Sequence, residues 1–331
     1  YLCAIFQYMS DLRTIKASIS TELDQLNQRI RKQLASNNPL MDSVIENYLR
    51  TKGKQIRPIL VILVAKMFGN VDDKTLSAAA AVELLHNASL IHDDVVDNSK
   101  MRRNEPTINA IWDNHISVLV GDFFVSSAMQ QAIATGDIRI IDALCYLGKL
   151  LSLGELDQIY NARFHKLSED GYIHIIDYKT ASLFVACAKM GCYSSGASDD
   201  DTAVMAEFAR LLGLCFQIKD DIFDYYAESN VGKPTGNDLR EGKITLPLLH
   251  VLINENAPRH AEMLTLSQKE QLSEEDIATL TAYAIENGGI EYAYQKMRTL
   301  RDEAAQLLNR LPSNEASASL IDIFDSIIAR I

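Results

Sequence analysis

Apolar residues recur at helical spacing almost from end to end of this chain, while alternating, strand-like runs are nearly absent. Over 11–34, Leu12, Ile15, Ile19, Leu23, Leu26 and Ile30 form one stripe, closed by Asn37, Asn38 and Pro39. After the turn TKGKQIRP a second helix covers 59–68 and stops at Gly69 and Asn70. Asp72 or Asp73 can cap the next one, which runs through LSAAAAVELLHNASLIHDD. The spacing predicts further helices over 108–134, 137–167, 171–191 and 199–226, shorter ones over 244–254, 267–286 and 291–311, and a last near 316–328. Only 15 Gly and 7 Pro interrupt 331 residues, so one all-α domain over 9–331 is implied.

Two stretches, 81–85 (AVELL) and 142–156 (DALCYLGKLLSLGEL), are apolar on much of their circumference. Such helices need cover on several sides, by central placement or by a second subunit, and a homodimer is the expectation. The net charge of −12 argues against a nucleic-acid partner. Five scattered cysteines, with no CxxC pair, read as small buried thiols of a reducing cytoplasm. The longest apolar run, PILVILVAKMFG, is too short to span a bilayer. The opening YLCAIFQY lacks the basic start and cleavage site of a signal peptide, and residues 1–8 are set aside as an upstream segment before Met9.

Against this background two acidic clusters stand out. In LIHDDVVD, Asp93 and Asp97 lie at i and i+4 with Asp94 between them; QIKDDIFD repeats the pattern with Asp220, Asp221 and Asp224. One such cluster is ordinarily a solvated helix face. Two, each following apolar helix, are costly unless a cation joins them, and hard oxygen ligands suit Mg²⁺. A third run, Asp199 to Asp201, follows a turn and reads as the start of a helix favoured by the dipole. Lys54, Arg57, Arg102, Arg103, Lys179, Lys233 and Lys243 flank the clusters as a set suited to diphosphate oxygens.

With these motifs the chain resembles the trans-polyprenyl diphosphate synthase family from about residue 15 onward. The motifs come in the family's order: GKxxRP, ExxHxxxLxHDDxxD, an arginine pair, GExxQ (Gly154 to Gln158), KTA, QxxDDxxD, and GK(x)4DxxEGK. The resemblance implies a helical bundle of the isoprenoid synthase type with a central cavity. It implies that Asp93, Asp97 and Asp220 bind Mg²⁺, about three ions with substrate present, with Asp94, Asp221 and Asp224 nearby. It implies that Arg102, Lys179 and Lys233 grip an allylic diphosphate. Lys54, Arg57, His86 and Arg103 would hold isopentenyl diphosphate, with Thr180 and Gln217 beside the reacting carbons. The mechanism the resemblance implies is that the allylic C–O bond ionises, the double bond of isopentenyl diphosphate attacks the cation, and a proton is lost to the released diphosphate. Lys52, Gln55 and Asn104 depart from the family pattern and bear on loop geometry alone.

Product length turns on Ala88 and Ser89, about 6–7 Å below Asp93 on one helix. Short-chain relatives carry bulky aromatics there; small residues let an apolar channel continue, implying a product of about C40 for a quinone side chain. Release of so apolar a product implies transient membrane contact. The alternatives are a short-chain farnesyl or geranylgeranyl diphosphate synthase, a terpene cyclase, and a noncatalytic subunit of a heteromeric synthase. A cyclase lacks reason to keep a second full DDxxD, and a noncatalytic subunit would have lost acidic motifs that are intact here. A helical metal-storage bundle would use Glu-x-x-His pairs, of which Glu83 and His86 make one.

Overall fold

In a computed structural model, residues 12–50, 53–102, 105–226, 236–269 and 271–329 are described. The expectations for residues 1–8, Lys52, Arg103, Asn104 and Lys233 therefore fall outside the described residues. After a helical segment over 12–18 come α1 (Ser20–Leu34), α2 (Pro39–Arg50), α3 (Ile56–Phe68) and α4 (Asp73–Val96). A two-stranded hairpin is next, β1 (Met101–Arg102) and β2 (Glu105–Pro106), then α5 (Ile108–Ile111), α6 (Asn114–Ala134) and α7 (Ile138–Arg163). Helix α8 (Glu169–Ile176) passes through a π-helical turn (Asp177–Ala181) into α9 (Ser182–Ser195), and α10 (Asp199–Phe223) carries the second acidic cluster. The remainder is α11 (Asn237–Arg240), α12 (Leu246–Ile253), α13 (His260–Ser267), α14 (Glu274–Glu286), α15 (Gly289–Leu308) and α16 (Glu315–Ala329).

Helices α3, α4, α9 and α10 pack on one another and form the centre. Ile59 through Val64 are all buried, as is every residue from Thr75 to His86, which explains why these segments are apolar all round. The second such stretch is covered on one side only. On α7, Ile140, Leu144 and Leu147 are buried while Tyr146, Leu153 and Leu156 are exposed.

Several expected boundaries move for local reasons. Asn38 and Pro39 close one helix and also open the next, α2, which the spacing did not reveal. The Asn38 side chain accepts from the backbone N–H groups of Leu40 and Met41, and Pro39 takes the first helical position. The expected helix over 108–134 is broken at Trp112, because Asp113 restarts it by accepting from Ile116 N at 2.8 Å. That over 267–286 gives way to α13 and α14, the latter opened by a capping box between Ser273 and Asp276. Asp72, not Asp73, caps α4. Ser198 caps α10, leaving Asp199 to Asp201 in its first turn, where the dipole favours them.

Candidate active site

Helix α4 ends where its acidic cluster lies, so the negative end of its dipole adds to three carboxylates. The three differ in surroundings. Asp94 is buried, Asp93 half-buried, and Asp97 is exposed at the C-cap. Burial raises the Asp93 carboxyl to about 6; Lys179 opposes the rise, while Glu155 and Asp97 add to it. Burial also raises Asp97, with Lys243 opposing and Glu241 and Glu155 adding.

The hairpin explains how arginines so late in sequence reach the cluster. It folds the chain back so that Arg102 Nε and Nη2 both donate to Asp94 Oδ1, at 2.9 and 2.8 Å. Asn109 and Ser99 N donate to the Asp94 carbonyl, fixing the return. Asp94 thus holds an arginine rather than extending the open acidic face with Asp93 and Asp97.

The π turn packs between α7 and the second acidic helix, α10. One extra residue in the turn widens it, and such turns gather at functional positions. Lys179 Nζ donates to Gln158 Oε1 at 2.9 Å and forms an ion pair with Glu155, both on α7. Its neighbour Thr180 donates to Gln217 Oε1 on α10 at 2.6 Å. Two glycines permit the approach. A Cβ on Gly154 would lie 2.8 Å from Lys179 Cγ, and one on Gly213 would lie 2.5 Å from Ala181 Cα. The motifs GExxQ and KTA are therefore two halves of one contact.

On α10 the second cluster has a different division. Asp220 is half-buried. Asp221 is buried and accepts from Tyr172 Oη at 2.6 Å and from Gln217 Nε2 at 2.7 Å. Asp224 accepts from the backbone N–H groups of Asn237 and Asp238, each at 3.0 Å, and so caps α11. Burial, with Asp221 and Asp224 adding, raises Asp238 to about 8 against the pull of Lys243. A cavity of about 760 Å³ opens here, with Lys179, Thr180, Gln217, Asp221, Asp238 and Lys243 among its lining.

Arg57 is half-buried, its guanidinium 5.8 and 5.7 Å from the ring centres of Phe184 and Phe216, so GKxxRP lies against α9 and α10. Lys54 is exposed before α3, and His86 is buried on α4. Ala88 is fully buried; Ser89 is half-buried with its hydroxyl bonded to the His86 carbonyl. Sequence reasoning assigned no part to Glu155, Gln158, Tyr172 or Asp238. For the first two and Asp238 a signal existed, since each stands in one of the family motifs. Tyr172 had none.

Among the described residues no three acidic, His or Cys side chains form a ready-made metal cage. Partly buried carboxylates with raised affinity for protons are nonetheless the hard donors that a small divalent cation takes, with water and phosphate oxygens completing its shell.

A family model described as polyprenyl synthetase matches residues 38–284. The octaprenyl diphosphate synthase of Haemophilus influenzae is 33% identical over 96% of this chain and 96% of its own. A decaprenyl diphosphate synthase from Rhodobacter capsulatus superposes with a TM-score of 0.90 at 30% identity, covering 97% of this chain and 99% of that one. A geranylgeranyl pyrophosphate synthase from Bacteroides thetaiotaomicron gives 0.84 at 36% identity, covering 97% and 100%.

Proposed function

The chain belongs to the polyprenyl synthetase family and is a prenyltransferase; from that premise we propose that it condenses isopentenyl diphosphate with an allylic diphosphate, using Mg²⁺, to make an all-trans chain of about C40 for a quinone side chain. The observation that carries this reading is the π turn, which sets Lys179 against the field of Asp93 and Thr180 against Gln217 on the helix of Asp220.

Asp93, Asp97 and Asp220 would hold the metal, which when bound supplies charge stabilisation to the departing diphosphate. Lys179, fixed by Glu155 and Gln158, meets the allylic diphosphate as a preset cation and needs no reorganisation as charge develops. Arg102 would contribute from its seat on Asp94, with Arg103 and Lys233 as further diphosphate ligands. Lys54, Arg57 and His86 would hold isopentenyl diphosphate. The Phe184 and Phe216 rings beside Arg57 keep that flank dry. Thr180 and Gln217 would stand beside the reacting carbons.

Small side chains at Ala88 and Ser89, together with the octaprenyl and decaprenyl synthases the chain resembles, support the long product. A short-chain product is the second reading, favoured by the 36% identity to the geranylgeranyl pyrophosphate synthase. Incubation with isopentenyl and farnesyl diphosphates and Mg²⁺, with products sized by mass spectrometry, separates them. Products well beyond C20 that shorten in Ala88→Phe are expected; wild-type products that stop at C20 contradict the long-chain reading.

A homodimer is favoured by α6 and α7, where Leu119, Ile133, Ile138 and Leu156 are each more than 60% exposed. By length and composition α6 could cross a membrane. One of its sides packs on α4, and a second copy would cover the other. Transient membrane contact for product release is tested by liposome flotation with product present; no association contradicts it.

A further inference from the structure

The middle aspartate of the second cluster is buried, yet it forms part of the cavity wall. Both carboxylate oxygens are engaged by neutral donors within one chain: Tyr172 Oη to Asp221 Oδ2 at 2.6 Å, and Gln217 Nε2 to Asp221 Oδ1 at 2.7 Å. The chain continues through Gln217 Oε1, which accepts from Thr180 Oγ1 at 2.6 Å. Tyr172 is 7% exposed and Asp221 4% exposed, while Gln217 and Thr180 are half-buried at the cavity wall.

The direction of every hydrogen is set by Asp221, whose carboxylate Tyr172 holds in place through Oδ2. A carboxylate only accepts, so the amide of Gln217 must turn its nitrogen to Asp221 and its oxygen to Thr180. An amide oxygen only accepts, so the Thr180 hydroxyl must donate to it. The lone pairs of Thr180 Oγ1 are then left for the cavity that Thr180 lines. Without the chain, the Thr180 hydroxyl would be free to rotate and point its hydrogen into the cavity instead.

We propose that Tyr172 and Asp221 are positioning residues that, through Gln217, lock Thr180 with its oxygen lone pairs toward the reacting allylic carbon. Asp221 thereby gains a role that requires no contact with a metal, and Tyr172 enters the machinery of the reaction with no signal in the sequence. The inference rests on the prenyl-transfer reading. Electron-rich oxygen facing a carbon that becomes cationic stabilises the transition state more than the ground state, so the chain acts on turnover rather than on substrate binding.

Steady-state kinetics on Tyr172→Phe, alone and combined with Thr180→Val, test this. Tyr172→Phe removes one hydroxyl and preserves the ring. It is expected to lower kcat about tenfold with both KM values within about twofold of wild type, and to have no further effect once Thr180→Val is present. Asp221→Leu approaches from the other end, removing the acceptor that orients Gln217, and should show the same dependence on Thr180. Unchanged kcat in Tyr172→Phe and Asp221→Leu overturns the proposal. So does a loss of the same size with and without the Thr180 hydroxyl, which is what general damage to the fold produces. Absence of condensation in the wild-type enzyme would instead sink the prenyl-transfer reading.

Discussion

The two acidic clusters have the same spelling, DDxxD, and divide their labour differently. In each, the middle aspartate is buried and engaged: Asp94 by Arg102, Asp221 by Tyr172 and Gln217. They part at the last position. Asp97 stands exposed where α4 ends, whereas Asp224 is taken up by the backbone N–H groups that open α11. The first cluster thus leaves its last carboxylate at an exposed helix end, whereas in the second both the middle and the last aspartate are bonded within the fold. A sequence repeat fixes spacing along a helix, and the segment into which each helix leads decides which side chains stay available.

The most forceful way to break this comparison is to remove the metal. If both clusters act only through it, chelation should lower condensation at least a thousandfold, by roughly the several kcal/mol a bound cation supplies. Residual turnover near the Mg²⁺-loaded rate would leave the clusters without a common purpose.

The next effect sharpens the link between them. Gly213→Ala would force the π turn away from α10, since the new Cβ falls 2.5 Å from Ala181 Cα. Overpacking of this kind costs about 1–3 kcal/mol. A shift of Thr180 near 1 Å should reduce kcat about a hundredfold. Kinetics with a parallel melting curve would show both, and a destabilised enzyme with wild-type kcat would dissociate the turn from the chemistry.

Protonation distinguishes the clusters more gently. Burial raises Asp93, so the folded state gains from its protonated form; that gain is complete below pH 3.8 and is lost as pH rises through about 6. The melting temperature without Mg²⁺ should fall across this window, and Mg²⁺ should cancel the fall. Burial raises Asp221 as well, yet its partners are Tyr172 and Gln217. Asp93→Asn should therefore abolish the Mg²⁺-sensitive part of the curve and Asp221→Asn should keep it. The smallest effect belongs to Asp224→Ala. Loss of the α11 cap should cost about 1 kcal/mol, a drop of about 1–2 °C, read by calorimetry. An unchanged midpoint would show that the cap is idle.

Much of this was legible without coordinates because helical periodicity records burial directly. The stripe predicted over 11–34 is the buried face, with Ile15, Ile19, Leu23, Leu26 and Ile30 all inside. The motifs also singled out Thr180 and Gln217, and the first donates to the second at 2.6 Å. The illegible parts share a cause. The β hairpin has strands of two residues, too short for any period, and it alone explains how Arg102 reaches Asp94. The π turn depends on Gly213, more than thirty positions away in a different helix. Nothing within DYKTA announces it. The capping role of Asp224 depends on backbone donors more than ten residues further along the chain, and no pattern in QIKDDIFD separates it from Asp97.

Most directly, the six Asp→Asn variants should be compared for condensation rate at saturating Mg²⁺. Changes at Asp93, Asp97 and Asp220 are expected to lower kcat at least about a thousandfold, while changes at Asp94, Asp221 and Asp224 should cost no more than about a tenth to a hundredth of that loss. Equal losses at all six positions, or a loss at Asp224 as deep as that at Asp97, would contradict the division between the clusters.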